Sequence, residues 1–146
     1  MTPEEDRFSA ATDGWLQSWN SDIEKMVDEY YAPDCEVLLV ESGELLHGRE
    51  ELRKFERGLR ATFPARGAEL ARKVVSGNTV VVELERKGYL GDGRASVRRS
   101  CVVLTFNVDA QVQVDHSYVS MSESAKQIGV DPEQFAAEMV RRGSTL

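Results

Sequence analysis

The hydrophobic residues of this chain change their spacing near Pro64, and this change limits the folds that the chain can adopt. Before Pro64, apart from the short stretch 35–41, apolar residues recur every three or four positions, as at Phe8, Ala11, Trp15 and Trp19, which is the period of a helix. From residue 68 to residue 120 they alternate with polar residues, which is the period of a strand. Helices followed by successive strands are typical of α+β folds, so we expect a strongly curved antiparallel sheet wrapped around the N-terminal helices.

The same spacing, together with capping and turn residues, predicts the individual elements. Helices are predicted at residues 3–20, from the capping box 21–24 to Pro33, at 49–63, and after the capping boxes 120–123 and 131–134. Strands are predicted at residues 35–41, 68–76, 79–87, 96–108 and 111–120, with turns at 77–78, 91–93 and 109–110. We expect these elements to form one domain over residues 1–146, with the last strand ending near residue 120 and a helical extension at 121–146.

The composition argues against several classes of protein. The chain has 146 residues, 41% of them hydrophobic, which suffices for one domain with a core. Its net charge of -7 repels phosphate backbones, so we expect no nucleic-acid partner. The two cysteines, Cys35 and Cys101, lack the spacing of a zinc site, and we expect no metal. No apolar run has the length of a membrane span and the first residues carry no apolar leader, so we expect no membrane partner and a cytoplasmic location.

The segment VDHSYV holds one of the two histidines and is the main candidate for a functional site. Side chains on a strand alternate between its two faces, so His116 and Tyr118 share a face with Val112 and Val114, while Asp115 lies on the other face. Because the valine face is the apolar one, we expect His116 and Tyr118 to enter the core. They are either core residues with satisfied hydrogen bonds or the polar groups of a pocket, in which His116 could transfer a proton.

Two stretches of the chain and the hairpin between them carry motifs in a recognisable order. In residues 30–56, YYAPDCEVLLVESGELLHGREELRKFE, a helix ends in Tyr-Ala-x-Asp, a strand follows, and Gly-Arg-Glu opens the third helix. In residues 112–130, VQVDHSYVSMSESAKQIGV, the last strand is followed by a short helix that ends in Gln-Ile-Gly. With the hairpin VVSGNTVVVELE between them, these stretches resemble the SnoaL-like branch of the nuclear transport factor 2 superfamily over nearly the whole chain.

The resemblance implies a cystatin-like cone, in which a curved sheet of six elements surrounds three N-terminal helices and homodimers are common. Polyketide cyclases and ketosteroid isomerases are relatives of this kind, and in them an Asp or a His inside an apolar cone moves a proton. The chain departs from these patterns at three places. Residues 38–40 are apolar where ketosteroid isomerases carry a base aspartate, and Ser120 stands where many SnoaL-like chains carry an Asp. Residues 88–93 contain no His, although the usual cyclase pattern has one in this region.

In such a cone the pocket is expected to be lined from both the helices and the sheet. The predicted catalytic residues are His116 and Tyr118, and the predicted substrate-binding residues are Trp15, Trp19, Tyr31, Val82, Leu84 and Arg99. Tyr30 is an alternative to Tyr31. Arg98 is an alternative to Arg99, because adjacent strand residues face opposite sides. The two tryptophans could also serve only as packing in the core.

Two functional hypotheses follow from these residues and from the resemblance. The first is an isomerase, cyclase or dehydratase that acts by proton transfer on a small hydrophobic molecule, with no cofactor. The second, favoured by the missing aspartates, is a non-catalytic ligand-binding or protein-interaction module of the same fold. In both cases we expect a homodimer formed through the sheet.

Overall fold

The computed structural model describes residues 1–89 and 93–146, and within them helices pack against one face of a six-stranded sheet. The helices are α1 (Pro3–Ser21), α2 (Ile23–Lys25), α3 (Gly48–Thr62), α4 (Ser122–Ile128) and α5 (Phe135–Gly143). The strands are β1 (Tyr31–Leu39), β2 (Glu44–His47), β3 (Ala65–Ser76), β4 (Thr79–Tyr89), β5 (Ala95–Phe106) and β6 (Val112–Tyr118). The α+β class is confirmed, while the turn predicted at 91–93 includes residues outside the described ranges. None of the helices in those ranges is long and apolar enough to cross a membrane.

The sheet has the strand order β2-β1-β6-β5-β4-β3, so β2 and β3 are its edges. All neighbouring strands are antiparallel except β1 and β6, which run parallel. The sheet is therefore mixed, where a wholly antiparallel sheet was expected. The reason is that the chain between β1 and β6 passes through α3 and four other strands, and such a long connection permits a parallel return. Strand β2 was not predicted, because four residues are too few to show an alternation.

Helix α1 begins where the sequence predicts and is capped at its N-terminus. The Thr2 hydroxyl accepts a hydrogen bond from the Glu5 amide at 3.1 Å, and the Thr2 amide donates to the Glu5 carboxylate at 2.9 Å. This reciprocal pair satisfies two amides that an open helix end leaves without partners. The helix buries Phe8, Trp15 and Trp19 against the sheet.

The second predicted helix is shorter than expected and changes its geometry. Its cap is Asp22, whose carboxylate accepts a hydrogen bond from the Lys25 amide at 3.1 Å. After α2 the backbone forms a π-helical turn, Met26–Tyr30, and β1 begins directly at Tyr31. Pro33 therefore lies within a strand and does not end the helix. Single π-helical turns are frequent at functional sites, and this one delivers Tyr31 to the interior with 2% exposure.

The hairpin predicted around residues 77–78 is confirmed, with Ser76 paired to Thr79. It joins β3 to β4, and β5 pairs with β4 on the other side. Alternate residues of β4 and β5 face the helices, and this inner face of the sheet supplies much of the core. Its fully buried aliphatic members are Val80, Val82, Leu84, Val102 and Leu104.

The C-terminal helices close one end of the space between sheet and helices. Helix α4 follows Met121, so the capping box predicted at residues 120–123 is wrong, whereas Asp131 does accept a hydrogen bond from the Glu133 amide at 3.0 Å. Helix α5 packs closely on α3 through two glycines. A Cβ atom at Gly58 would lie 1.9 Å from the Met139 carbonyl oxygen, so only glycine permits this approach.

Candidate functional site

The inner face of β6 carries Asp115 and Ser117 rather than His116 and Tyr118. Asp115 is 3% exposed and Ser117 is 7% exposed, whereas Tyr118 is 50% exposed. His116 and Tyr118 lie on the outer face of the sheet. The prediction that these two side chains enter the core is therefore wrong.

A β-bulge explains this reversal. Across the β5–β6 pair, Phe106 is opposite Val112 and Thr105 is opposite Val114, so β6 contains one extra residue at this point. The extra residue shifts the alternation by one position. As a result Val112 and Asp115 both face inward, although three positions separate them, and every later residue of β6 lies on the face opposite to the one predicted.

Asp115 is held in a chain of buried hydrogen bonds that joins three elements. The Tyr31 hydroxyl of β1 donates to Oδ2 of Asp115 at 2.7 Å, and the Ser117 hydroxyl donates to Oδ1 at 2.7 Å. Nε1 of Trp15, on α1, donates to the Tyr31 hydroxyl at 2.9 Å. The backbone of Tyr31 is fixed as well, because Arg49 of α3 donates to its carbonyl from Nε at 2.9 Å and from Nη2 at 2.7 Å.

The surroundings of Asp115 change its acidity. Burial raises the pKa of Asp115 above its ordinary value of 3.8, and the hydrogen bonds from Tyr31 and Ser117 oppose this increase. Burial and the neighbouring Asp115 also raise the pKa of Tyr31 well above 10.0. The Tyr31 hydroxyl therefore stays protonated near neutral pH and acts as a donor to the carboxylate.

Two arginines lie near this chain on the inner face of the sheet. Arg66 of β3 stacks on Trp19, with its guanidinium carbon 3.9 Å from the ring centroid, and the guanidinium carbon of Arg86 of β4 is 5.1 Å from the same ring. Nη2 of Arg66 donates to the Glu56 carboxylate of α3 at 3.2 Å. Nε of Arg86 donates to the Ser100 hydroxyl at 2.8 Å. The aromatic ring holds both guanidinium groups by cation–π attraction.

These groups surround two adjoining cavities. The inner cavity has a volume of about 40 Å³ and is lined by Trp15, Tyr31, Glu56, Arg86, Asp115 and Ser117, among other residues. The outer cavity has a volume of about 70 Å³ and is lined by Trp19, Arg66, Arg86, Arg98, Met121 and Phe135, among other residues. Trp19, Arg86 and Met121 line both cavities. Each is smaller than a cavity of about 150 Å³ that holds benzene in a protein core.

The predicted substrate-binding residues are only partly brought together. Trp15, Trp19 and Tyr31 line the cavities. Val82 and Leu84 are buried in the core, with 0% and 2% exposure, and line neither cavity. They therefore pack the sheet against the helices.

The arginine that faces inward is Arg98, so the prediction that Arg99 does so is wrong. Arg99 is exposed on the outer face of the sheet and lies beside Tyr118 in a surface groove. Arg98 lines the outer cavity because it shares the inner face with the buried residues Ser100 and Val102. Its guanidinium donates to the carbonyl of Ser120 and to the hydroxyl of Ser124.

Sequence reasoning missed Asp115, Arg86 and Arg66 as site residues. A signal for Arg86 was present, because it continues the inward series of Val80, Val82 and Leu84 at a period of two. No comparable signal exists for Asp115, whose direction depends on the bulge. Arg66 lies in a short segment after α3 in which no alternation is visible.

Comparisons with known proteins agree with this architecture. A model of the SnoaL-like domain family matches residues 12–114 of the chain. A search of curated protein sequences gives no match.

Several solved structures have the same fold at low sequence identity. A candidate SnoaL-like polyketide cyclase from Jannaschia sp. CCS1 matches with a TM-score of 0.77 and 17% identity, over 90% of this chain and 98% of that chain. A hypothetical protein with a ketosteroid isomerase-like fold from Catenulispora acidiphila DSM 44928, in complex with trimethylamine, matches with a TM-score of 0.71 and 17% identity, over 91% and 98%. TerC co-crystallised with polyporic acid matches with a TM-score of 0.73 and 15% identity, over 84% and 98%. At these identities the likeness shows the fold alone.

Proposed function

Because the chain belongs to the SnoaL-like domain family, we propose that it is a cofactor-free enzyme that moves a proton on a small hydrophobic molecule, as an isomerase, cyclase or dehydratase. The observation that carries this proposal is the carboxylate of Asp115, which is buried at the wall of a largely apolar cavity. Two solved proteins of the same fold, one co-crystallised with polyporic acid and one in complex with trimethylamine, also support a small-molecule site.

In the proposed reaction Asp115 is the group that accepts and returns the proton. The substrate loses a proton from a carbon next to a carbonyl group, the C–H electron pair forms an enolate, and the proton forms an O–H bond on Asp115. Return of the same proton to another atom gives an isomer. Alternatively, the enolate carbon attacks a second carbonyl group and closes a ring, and the resulting alkoxide takes the proton back from Asp115. The raised pKa of Asp115 makes the carboxylate a stronger base than an exposed aspartate.

Tyr31 and Ser117 act as positioning residues in this scheme. Their two hydroxyl groups each occupy one lone pair of the carboxylate, and each oxygen keeps another lone pair for the substrate proton. Arg86 also lines the inner cavity, so its guanidinium is available to stabilise the negative oxygen of the enolate.

The experiment measures hydrogen–deuterium exchange into small ketones by proton NMR, with 2-tetralone and cyclohexanone as probes. Wild-type protein is expected to accelerate exchange, and Asp115→Asn is expected to reduce the acceleration by about 10²–10⁴-fold, the usual contribution of a positioned base. The control is Asp109→Asn, an exposed aspartate in the β5–β6 turn. An Asp115→Asn variant that exchanges as fast as wild type would disprove the assignment of the base.

A non-catalytic binding module is the second candidate function. It is favoured by residues 38–40 and Ser120, which stand where catalytic relatives of the SnoaL-like branch carry an aspartate. This alternative predicts saturable binding of a small ligand with no exchange or turnover that depends on Asp115. The exchange experiment therefore separates the two candidates.

We also propose that two copies of the chain pair through the outer face of the sheet. Several apolar side chains on the strands are exposed, including Val74 at 51%, Val97 at 60% and Tyr118 at 50%. Exposed apolar surface of this kind is typical of an interaction site. In this arrangement Tyr118 would belong to the contact between the two copies rather than to the cavity.

The two cysteines fit the cytoplasmic location that we propose. Both Cys35 and Cys101 are free thiols. Burial raises the pKa of Cys35 to about 11, so this thiol is protonated and unreactive at neutral pH. Free structural thiols are usual in a reducing compartment.

A further inference from the structure

We propose that the outer cavity binds an anionic group of the ligand, a carboxylate or an equivalent oxyanion, between Arg86 and Arg66 beside Trp19. This inference rests on the proposed function, because the anionic group would anchor the molecule whose other end reaches Asp115. It names a substrate class, a small apolar acid, which the proton-transfer scheme alone does not specify.

The first support is the arrangement of arginines on the inner face of the sheet. Arg86 of β4 is directly opposite Arg98 of β5. Arg66 of β3 lies diagonally from Arg86, because Ala68 pairs with Arg86 and Arg66 pairs with Gly88. Like charges directly opposite on neighbouring strands destabilise a sheet. The pair Arg86 and Arg98 therefore costs stability unless negative charge lies nearby, and Arg66 adds a third positive charge to the same face.

The second support is the set of partners that the guanidinium groups have. Arg66 is 5% exposed at its side chain, and its single ion pair uses Nη2, while Nε and Nη1 are buried with no hydrogen-bond partner among the described residues. Arg86 lines both cavities and, within the same ranges, hydrogen-bonds only through Nε. A buried guanidinium with donors left over is unfavourable, and an oxyanion is the ligand that satisfies several donors at once.

The third support is the electrostatic environment of the arginines. Burial lowers the pKa of Arg66 and of Arg86, which means that the interior disfavours their positive charges. The acids that act on these two residues are Glu56, already paired with Arg66, and Asp115, while Glu41 and Glu123 act on Arg98. Among the described residues Arg86 hydrogen-bonds to the Ser100 hydroxyl and forms no ion pair, so a bound anion would give it a direct charged partner.

Trp19 fixes the positions of two of these guanidinium groups. It holds the guanidinium carbons of Arg66 and Arg86 at 3.9 Å and 5.1 Å from its ring centroid, which limits their movement. Planar guanidinium groups held in this way match the planar fork of a carboxylate. Met121 and Phe135 supply an apolar wall on the C-terminal side, suited to the hydrocarbon part of a small acid.

The test compares acids with their uncharged amides of the same shape by NMR titration at pH 7.5. The pairs are isobutyrate with isobutyramide and benzoate with benzamide. We expect each acid that binds to bind at least ten times more tightly than its amide. The larger pair is expected to bind only if Met121 and Phe135 move, since the cavity of about 70 Å³ is smaller than benzene requires.

Variants of the arginines test whether these residues bind the acid. Arg86→Met is expected to remove the preference for the acid, and Arg86→Lys, which keeps the charge but loses the fork, is expected to keep part of it. Arg99→Met, the neighbouring arginine on the outer face, is the control and should bind like wild type. Melting curves of all variants check that each is folded.

The outcomes separate this inference from the proposed function. Asp115→Asn is expected to keep or increase the preference for the acid while it loses ketone exchange, because it removes a base and a nearby negative charge. Equal affinity for acid and amide, an unchanged preference in Arg86→Met, or no binding of either acid at 50-fold molar excess overturns the inference. Exchange that depends on Asp115 would in each of these cases leave the proposed function intact.

Discussion

Removal of the Tyr31 hydroxyl tests the hydrogen-bond chain on which the site is built. In Tyr31→Phe, Nε1 of Trp15 loses its acceptor and Oδ2 of Asp115 loses a donor, both in the interior. A buried polar group left without a partner costs about 1–3 kcal/mol, and more if it is charged. The two groups together predict a loss of about 2–6 kcal/mol in the free energy of unfolding.

The neighbouring residue supplies a matched control. Tyr30 is partly buried, and its hydroxyl makes no hydrogen bond with any residue in the described ranges. Tyr30→Phe is therefore expected to change stability by less than about 0.5 kcal/mol. Both variants remove one oxygen atom from the same residue type, so the difference between them isolates the hydrogen bonds.

The assay is urea unfolding followed by tryptophan fluorescence at pH 7.5. With a slope of about 1–3 kcal/mol per molar urea, a loss of 2 kcal/mol lowers the midpoint by at least about 0.7 M. The activity profile should change as well. The hydrogen bond from Tyr31 lowers the pKa of Asp115, so its loss raises that pKa. The limb of the pH–activity profile that reports this base is therefore expected to move to higher pH. Midpoints of Tyr31→Phe and Tyr30→Phe that agree within error would refute the hydrogen-bond chain.

Three further predictions concern pH, helix packing and assembly. The pKa of Asp115 is raised above 3.8, so the stability that Asp115 contributes relative to Asp115→Asn is complete at low pH. This contribution decreases by up to about 1.4 kcal/mol per pH unit as the pH rises to the folded-state pKa. Urea titrations that show no such decrease would contradict the prediction. Gly143→Ala places a Cβ atom 1.7 Å from the Lys54 carbonyl oxygen and should lower the free energy of unfolding in urea by about 1–3 kcal/mol or more. In the control Gly67→Ala the nearest atom is 3.7 Å from the new Cβ, so this steric cost should be absent. Equal losses in the two variants would argue against close α3–α5 packing. Tyr118→Lys on the outer face should shift the molar mass in light scattering from dimer to monomer, and a wild-type monomer would disprove the proposed dimer.

Much of the fold was predictable because it depends on short-range patterns. Helix α1 and the β3–β4 hairpin follow from residues that are close together in the chain, namely a capping pair and a two-residue turn. The inward direction of Arg86 is likewise predictable from a short-range pattern, because the period of two along β4 determines it. Patterns of this kind act through local backbone geometry, which a sequence displays directly.

The candidate site was less predictable because it depends on contacts between distant residues. Tyr31 and Asp115 are 84 positions apart, and their hydrogen bond exists only because β1 and β6 are parallel neighbours. The bulge opposite the end of β5 cannot be recognised in β6 alone, because it is a mismatch between two strands. Because of this one extra residue, Asp115 rather than His116 lies in the interior.

The sequence by itself thus determined the α+β class, the positions of most elements and the resemblance to a family, since these depend on periodicity and on the order of motifs. Only the tertiary structure decided which side of β6 faces the helices, which arginine of the pair 98–99 enters the cavity, and which carboxylate meets a buried tyrosine. The physical reason is that burial is a property of the assembled sheet. Alternation states which residues share a face, but the register with the neighbouring strand decides which face is covered.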